Sequence, residues 1–274
     1  MKSIAPVSIS SYNGKQTTKR NDIVAVEEPL NIYFDGLPYC LAMCSPGMEK
    51  ELALGLCYSE GIICALEDVD TVRHFEDESG SGVDVVRSSQ CKAVGISSLS
   101  KRFSSSYSVY SVHKICSKQM IDNVCSEVSV RSIDFSTSDL QITEVVRALV
   151  KNQRVFDQTG GTHAAGVFNR NLELLAFAED IGRHNALDKA LGRTILDDKL
   201  RDVTVIGLTS RLSFEMVHKA SRTSAQILVG MSAPTSMGVD LAKKVNLTVV
   251  GFAKKNSFNI YTVPERIYTS EYIR

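Results

Sequence analysis

Val203-Thr-Val-Ile-Gly-Leu208, Ile227-Leu-Val-Gly-Met231 and Leu247-Thr-Val-Val-Gly-Phe252 are three short runs dominated by apolar and β-branched residues. Between them, Ser213–Ala225 and Met237–Val245 carry apolar residues at helical spacing. The order strand, helix, strand, helix, strand then calls for parallel strands joined by helical crossovers. The expected class is α/β, or α+β for the whole chain. Working back from this stretch, a helix is expected near Ala186–Leu196, and residues 166–168 and 172–177 form a hairpin around Asn169-Arg-Asn171. Asp139–Lys151 forms an amphipathic helix with Leu140, Ile142, Val145, Val146, Leu149 and Val150 on one face.

Further back the period shortens. Val69, Val72, Val83, Val85 and Val86 alternate with polar residues among Gly and Ser breaks, as in a small sheet spanning 69–105. Glu27–Phe34 and Leu37–Met43 flank Asp35-Gly36, a hairpin turn. Ser45-Pro46 reads as the cap and first position of a helix over Met48–Ser59 that stops at Gly61. Residues 1–20 are polar and without period, as in a tail that is disordered or pinned only by a partner, and Phe103–Val112, rich in Ser and Tyr, reads as a linker or loop. The organisation expected is a tail over 1–20, a β-rich N-terminal domain with one helix over 21–112, a cysteine-bearing linker over 113–135 and an α/β cofactor-binding domain over 136–274. The domain boundary falls between Cys116 and Asp139.

Of the 274 residues, 43% are hydrophobic, enough for a sizeable core. Lys and Arg number 31 against 31 Asp and Glu. The zero net charge argues against general attraction to DNA, RNA or an anionic membrane. No apolar stretch approaches the roughly 20 residues of a spanning helix, and the Met1 end lacks an apolar leader core, so a cytoplasmic location is expected. Seven cysteines, an odd number, fit free thiols in a reducing compartment. The chain has no C-x-x-C, so neither a zinc ribbon nor a thioredoxin-like pair is expected, and no metal ligand set is assigned.

Ligands of α/β sheets gather where strands end and helices begin. Four segments stand at such points. Gly160 and Gly161, with His163, let the backbone turn close to a ligand, although taken alone a plain tight turn with a satisfied histidine is the favoured reading. Ala178–Lys189 packs acids, the basic-capable Arg183 and His184, and an amide into one helix start. Leu208–Glu215 places Arg211, whose fork suits phosphate, beside Ser213 and Glu215, which helix capping alone would explain. Met231–Ser236 offers Ser232 and Thr235. Phe252, Ala253, Lys254, Lys255, Asn256 and Ser257 follow at a fifth strand end and add positive charge. Together these favour an anion-binding crevice for a long phosphorylated ligand. Cys116 is the candidate nucleophile: His113, Lys114 and Lys118 surround it and no apolar period buries it, conditions that raise the thiolate fraction. Cys125 is a poorer candidate.

The order Thr159-Gly-Gly-Thr-His-Ala-Ala165, Glu179-Asp-Ile-Gly-Arg-His-Asn-Ala-Leu-Asp-Lys189, Thr209-Ser-Arg-Leu-Ser-Phe-Glu-Met216, Ser232-Ala-Pro-Thr-Ser236, Gly251-Phe252 and Asn259-Ile-Tyr-Thr262, with the earlier Ser59-Glu-Gly-Ile-Ile63, closely resembles the FdhD/NarQ family of formate dehydrogenase accessory proteins. The resemblance runs from about Val24 onward. It implies a sulfurtransferase that takes sulfur as a persulfide from a cysteine desulfurase. The sulfur then passes to the molybdenum cofactor, in its bis-molybdopterin guanine dinucleotide form, of formate dehydrogenase. It also implies a cytidine-deaminase-like three-layer C-terminal domain, a homodimer, and guanine dinucleotide phosphates in the crevice. The family's Cys-Gly-x-Cys-Gly loop here reads His113-Lys-Ile-Cys116-Ser117, so only its second cysteine is present. Zinc deaminases carry H-x-E with a later P-C-x-x-C; the chain has no P-C-x-x-C, and His163-Ala-Ala165 lacks the acid, so no zinc is expected. A cofactor-binding chaperone that moves no sulfur is the alternative.

Overall fold

The computed structural model describes residues 3–78, 80–91 and 130–270. The strands are β1 (Ile4–Tyr12), β2 (Thr17–Ala25), β3 (Glu28–Phe34), β4 (Leu37–Cys44), β5 (Val69–Asp77), β6 (Gly80–Arg87), β7 (Thr137–Ser138), β8 (His163–Phe168), β9 (Leu174–Asp180), β10 (Val205–Leu208), β11 (Ile227–Gly230), β12 (Thr248–Gly251), β13 (Asn259–Ile260) and β14 (Ile267–Tyr268). The helices are α1 (Glu49–Ser59), α2 (Asp139–Asn152), α3 (Arg154–Thr159), α4 (Arg183–Leu196), α5 (Phe214–Ser221) and α6 (Ser236–Lys244).

The fold is mixed α/β. A six-stranded sheet runs β13-β12-β11-β10-β8-β9, with β10, β11 and β12 parallel and the remaining pairs antiparallel. Both faces of its parallel strands are covered, which is why their sequences read as continuous apolar runs. Val205, Ile227, Val229 and Val250 face α2 through Ile142, Val145 and Val146. Ile206, Leu228 and Val249 face the opposite way, into the cluster built by α4, α5 and α6. That cluster continues through α1 to Leu30, Ile32, Val83 and Val85 of a four-stranded sheet ordered β4-β3-β6-β5.

α1 and α4 cross with their backbones in contact. A Cβ added at Gly55 would lie 1.8 Å from the Asp188 carbonyl oxygen, and one at Gly192 would lie 1.8 Å from that of Glu51. Each helix therefore presents a glycine where the other comes closest, and only glycine fits there.

Two expectations are corrected. Residues 4–25 form an antiparallel ribbon, β1 with β2, instead of a polar tail. β2 is exposed on both faces from Thr17 to Val24, so it carries no hydrophobic period to betray it. The helix expected to open at Ser45-Pro46 begins at Glu49, after Met48 in the left-handed region at φ 63°. Ser45 is recruited elsewhere, as described below. The boundary expected between Cys116 and Asp139 falls largely outside the described residues, as do Phe103–Val112, Cys116 and Cys125.

Candidate functional site: a cationic crevice at the strand ends

β8 runs antiparallel to both β9 and β10, so the start of β8 shares one sheet edge with the ends of β9, β10, β11 and β12. That edge collects His163 at the head of β8, Arg183 and His184 in the first turn of α4, and Arg211 between β10 and α5. Thr209 ties the first two strand ends together, since its hydroxyl accepts from Ala164 N–H at 2.9 Å and its own N–H reaches the Ala164 carbonyl at 3.1 Å. The β10–α5 and β11–α6 loops are joined by Leu212 N–H to Ala233 O and Thr235 N–H to Leu212 O, both 3.0 Å. Phe252 N–H donates to Ser232 O at 3.0 Å, so the end of β12 belongs to the same edge.

The electrostatics show which groups lie within range of one another. Burial lowers the His163 pKa, and the Arg183 and Arg211 charges lower it further. Burial works to raise the Glu215 carboxyl, but the Ser213 hydroxyl, its own backbone N–H, His184 and Arg183 together hold it below the usual range. Ser213 occupies the cap position of α5, yet its hydroxyl donates to Glu215 Oε2 at 2.7 Å instead of capping the helix. Glu215, legible in the sequence only as a first-turn acid, thus balances part of the cationic cluster. The Arg183 Nε is buried and has no hydrogen-bond partner among the described residues.

Not every expected residue faces this cluster. Gly160, at φ 64°, closes α3, and a Cβ at Gly161 would meet Ala25 Cβ at 3.1 Å. These two glycines therefore serve the end of α3 and the base of the β1–β2 ribbon. Thr235 caps α6 by accepting from Gly238 N–H at 3.3 Å. Lys254, Lys255, Asn256 and Ser257 form an exposed turn closed by Lys254 N–H to Ser257 O at 2.8 Å, with Ala253 buried beneath and Phe252 partly exposed.

Much of the polar run before and within α4 is structural. The Asp180 carboxylate, wholly buried, accepts from Lys189 Nζ at 2.7 Å, Ser45 N–H at 3.0 Å, Gly182 N–H at 2.8 Å and Asn185 Nδ2 at 3.0 Å. Lys189 also donates to Ser45 O at 2.6 Å, and Ile181 N–H donates to Ser45 Oγ at 3.2 Å. Asp188 accepts from Lys219 Nζ at 2.6 and 2.8 Å and from Ser59 Oγ at 2.7 Å. These two carboxylates fasten α4 to α5, to the β4–α1 turn and to the end of α1. They fix the turn that aims Arg183 and His184. No signal short of knowing the distant partners Ser45, Ser59 and Lys219 separates these residues from the ones facing the crevice.

Among the described residues, no helix is long and apolar enough to cross a membrane, and no group of three or more His, Cys, Asp and Glu side chains is placed to hold a metal ion. The described thiols divide by environment. Burial pushes Cys40 and Cys44 up to about 12 and Cys57 higher still, whereas Cys64 is exposed.

The chain is 36% identical over 259 residues to the sulfur carrier protein FdhD of Saccharolobus solfataricus, covering 91% of this chain and 93% of that one. It is 34% identical over 265 residues to the protein of the same description from Sulfolobus acidocaldarius, covering 96% and 98%. In fold it is similar to the crystal structure of a candidate formate dehydrogenase accessory protein from Desulfotalea psychrophila, with a TM-score of 0.77 at 23% identity, covering 97% of this chain and all of that one. The FdhD/NarQ family model matches residues 25–268, and by that match and these relatives the chain belongs to the FdhD/NarQ family.

Proposed function

We infer that this protein is a sulfur carrier in the maturation of formate dehydrogenase. It accepts sulfur as a cysteine persulfide from a cysteine desulfurase and passes it to the molybdenum cofactor, in its bis-molybdopterin guanine dinucleotide form, which it holds as substrate. The observation that carries this reading is the convergence of His163, Arg183, His184 and Arg211 at one strand edge. Two guanidinium forks suit phosphate oxygens, and the buried, unmatched Arg183 Nε supplies a donor for one of them. His163, kept neutral at neutral pH by burial and by both arginines, contributes a hydrogen bond without adding charge. Ser232 and the Lys254–Ser257 turn extend the same edge toward the rest of a long dinucleotide.

Cys116 is the sulfur acceptor in this reading. The thiolate is the attacking form, and Cys40, Cys44 and Cys57 are held as thiols by burial. The Cys116 thiolate attacks the terminal sulfur of the desulfurase persulfide. A sulfur–sulfur bond forms on Cys116, the donor's own sulfur–sulfur bond breaks, and the donor cysteine leaves as thiolate. The working unit is a homodimer.

Calorimetric titration with GDP tests the crevice. Arg183→Ala is expected to weaken binding by about 1.5–3 kcal/mol, the worth of a charge-assisted bond. Arg211→Ala, whose side chain is exposed, is expected to cost roughly 1 kcal/mol or less. Unchanged affinity in both variants would remove the crevice from the reading. GDP binding without any sulfur uptake would favour the cofactor-holding chaperone.

A further inference from the structure

The β1–β2 ribbon takes no part in the site described above. Each strand is nine residues long, so the ribbon reaches roughly 30 Å from its base. Every residue from Thr17 to Val24 is exposed, and Tyr12 shows 70% of its surface. The ribbon is anchored at its base, where Ala25 lies against Gly161 and β2 packs on α3. A two-stranded ribbon is marginally stable in water by itself, and both of its outer edges present backbone groups that no strand among the described residues pairs. A partner surface is what such an element lacks.

Its charge says which kind. The ribbon carries Lys15, Lys19 and Arg20 against Asp22, in a chain whose net charge is zero, so the body carries the compensating negative charge. Arg20 pairs with Asp22 at 3.6 Å, whereas no carboxylate among the described residues pairs with Lys15 or Lys19. A complementary feature lies at the end of the four-stranded sheet. Where β5 turns into β6, Glu76 and Glu78 are exposed, and no cation among the described residues pairs with either. The basic arm and the acidic turn belong to the same chain. A two-fold axis between two copies would satisfy both contacts twice and close the assembly.

We propose that the β1–β2 ribbon is a dimerisation arm that lies on a second copy of this chain, with Lys15 and Lys19 against Glu76 and Glu78 of that copy. The inference rests on the homodimer reading above and names its surface. Light scattering after gel filtration of the full chain measures the dimer and its dissociation constant. Lys15→Glu with Lys19→Glu is expected to weaken the dimer at least tenfold, as is Glu76→Lys with Glu78→Lys. The four substitutions combined are expected to restore it. Zero-length carbodiimide cross-linking of mixed 14N and 15N copies is expected to join Lys19 of one copy to Glu76 or Glu78 of the other. A monomer in the unmodified protein overturns both the homodimer and the arm. A dimer that persists unweakened in both reversal variants, or links found only within one copy, overturns the arm and leaves the homodimer standing.

Discussion

Replacing Lys189 with Met removes one ammonium from a site with no solvent and keeps nearly the same volume. Lys189 is 1% exposed and Asp180 is 0% exposed. The change leaves the Asp180 carboxylate buried with three of its four donors, the N–H groups of Ser45 and Gly182 and the Asn185 amide, and it leaves the Ser45 carbonyl without the Lys189 donor. Deleting one member of a buried ion pair costs about 3–5 kcal/mol, because the remaining charge is uncompensated. The three surviving donors place the expected loss at the lower end, about 3 kcal/mol. Urea unfolding at neutral pH reads this as a lower midpoint with an unchanged slope. Removing the second charge as well, with Asp180→Asn, leaves no bare carboxylate, so the double variant should lose less than the sum of the singles by about 2 kcal/mol. A loss below about 1 kcal/mol for Lys189→Met, or strict additivity, would refute the claim that this pair holds the β4–α1 turn to the start of α4.

Gly192→Ala forces a Cβ onto the Glu51 carbonyl and drives α1 from α4, and it should destabilise the chain by about 3 kcal/mol or more, above the common range for overpacking because the obstacle is backbone, as a lowered thermal midpoint would record. His218 titrates near 4 in the folded chain, chiefly because it is buried and secondarily because Arg222 and Lys219 repel its protonated form. The unfolded chain takes up this proton first as pH falls below about 6.5, so the group withdraws stability between about pH 6.5 and 4 and leaves it unchanged above. The full withdrawal is roughly 3 kcal/mol, and His218→Leu should flatten that part of a stability-against-pH curve.

The sequence shows most clearly what local pattern alone determines. The β10-α5-β11-α6-β12 unit is legible because strands buried on both faces carry no polar alternation, and its elements fall within a few residues of their expected ends. The β1–β2 ribbon is not legible, since an exposed strand owes its existence to backbone pairing and leaves no hydrophobic period. Ser45-Pro46 carries a sound helix-start signal that distant partners override, because the Ser45 hydroxyl accepts from Ile181 N–H and the Ser45 carbonyl from Lys189 Nζ. The polar run ending at Lys189 reads as too polar for a buried face, yet Asp180, Asn185, Asp188 and Lys189 are all buried. Only the fold, however, separates Arg183 and His184 at the crevice from Asp180, Asn185, Asp188 and Lys189 in the buried network. Arg211 and His163 were legible as candidates because no local capping role accounts for the first and paired glycines precede the second. Their proximity to Arg183 follows from β8 running antiparallel to β10.

The most direct test of the account is to incubate the protein with a cysteine desulfurase and cysteine, trap thiols and persulfides by alkylation, and map the added sulfur by mass spectrometry. The account predicts one sulfane sulfur on Cys116, none on Cys40, Cys44 or Cys57, and no uptake in Cys116→Ala with the other six cysteines intact. Sulfur carried equally well by the Cys116→Ala protein, or no uptake by the unmodified protein while GDP still binds, would contradict it.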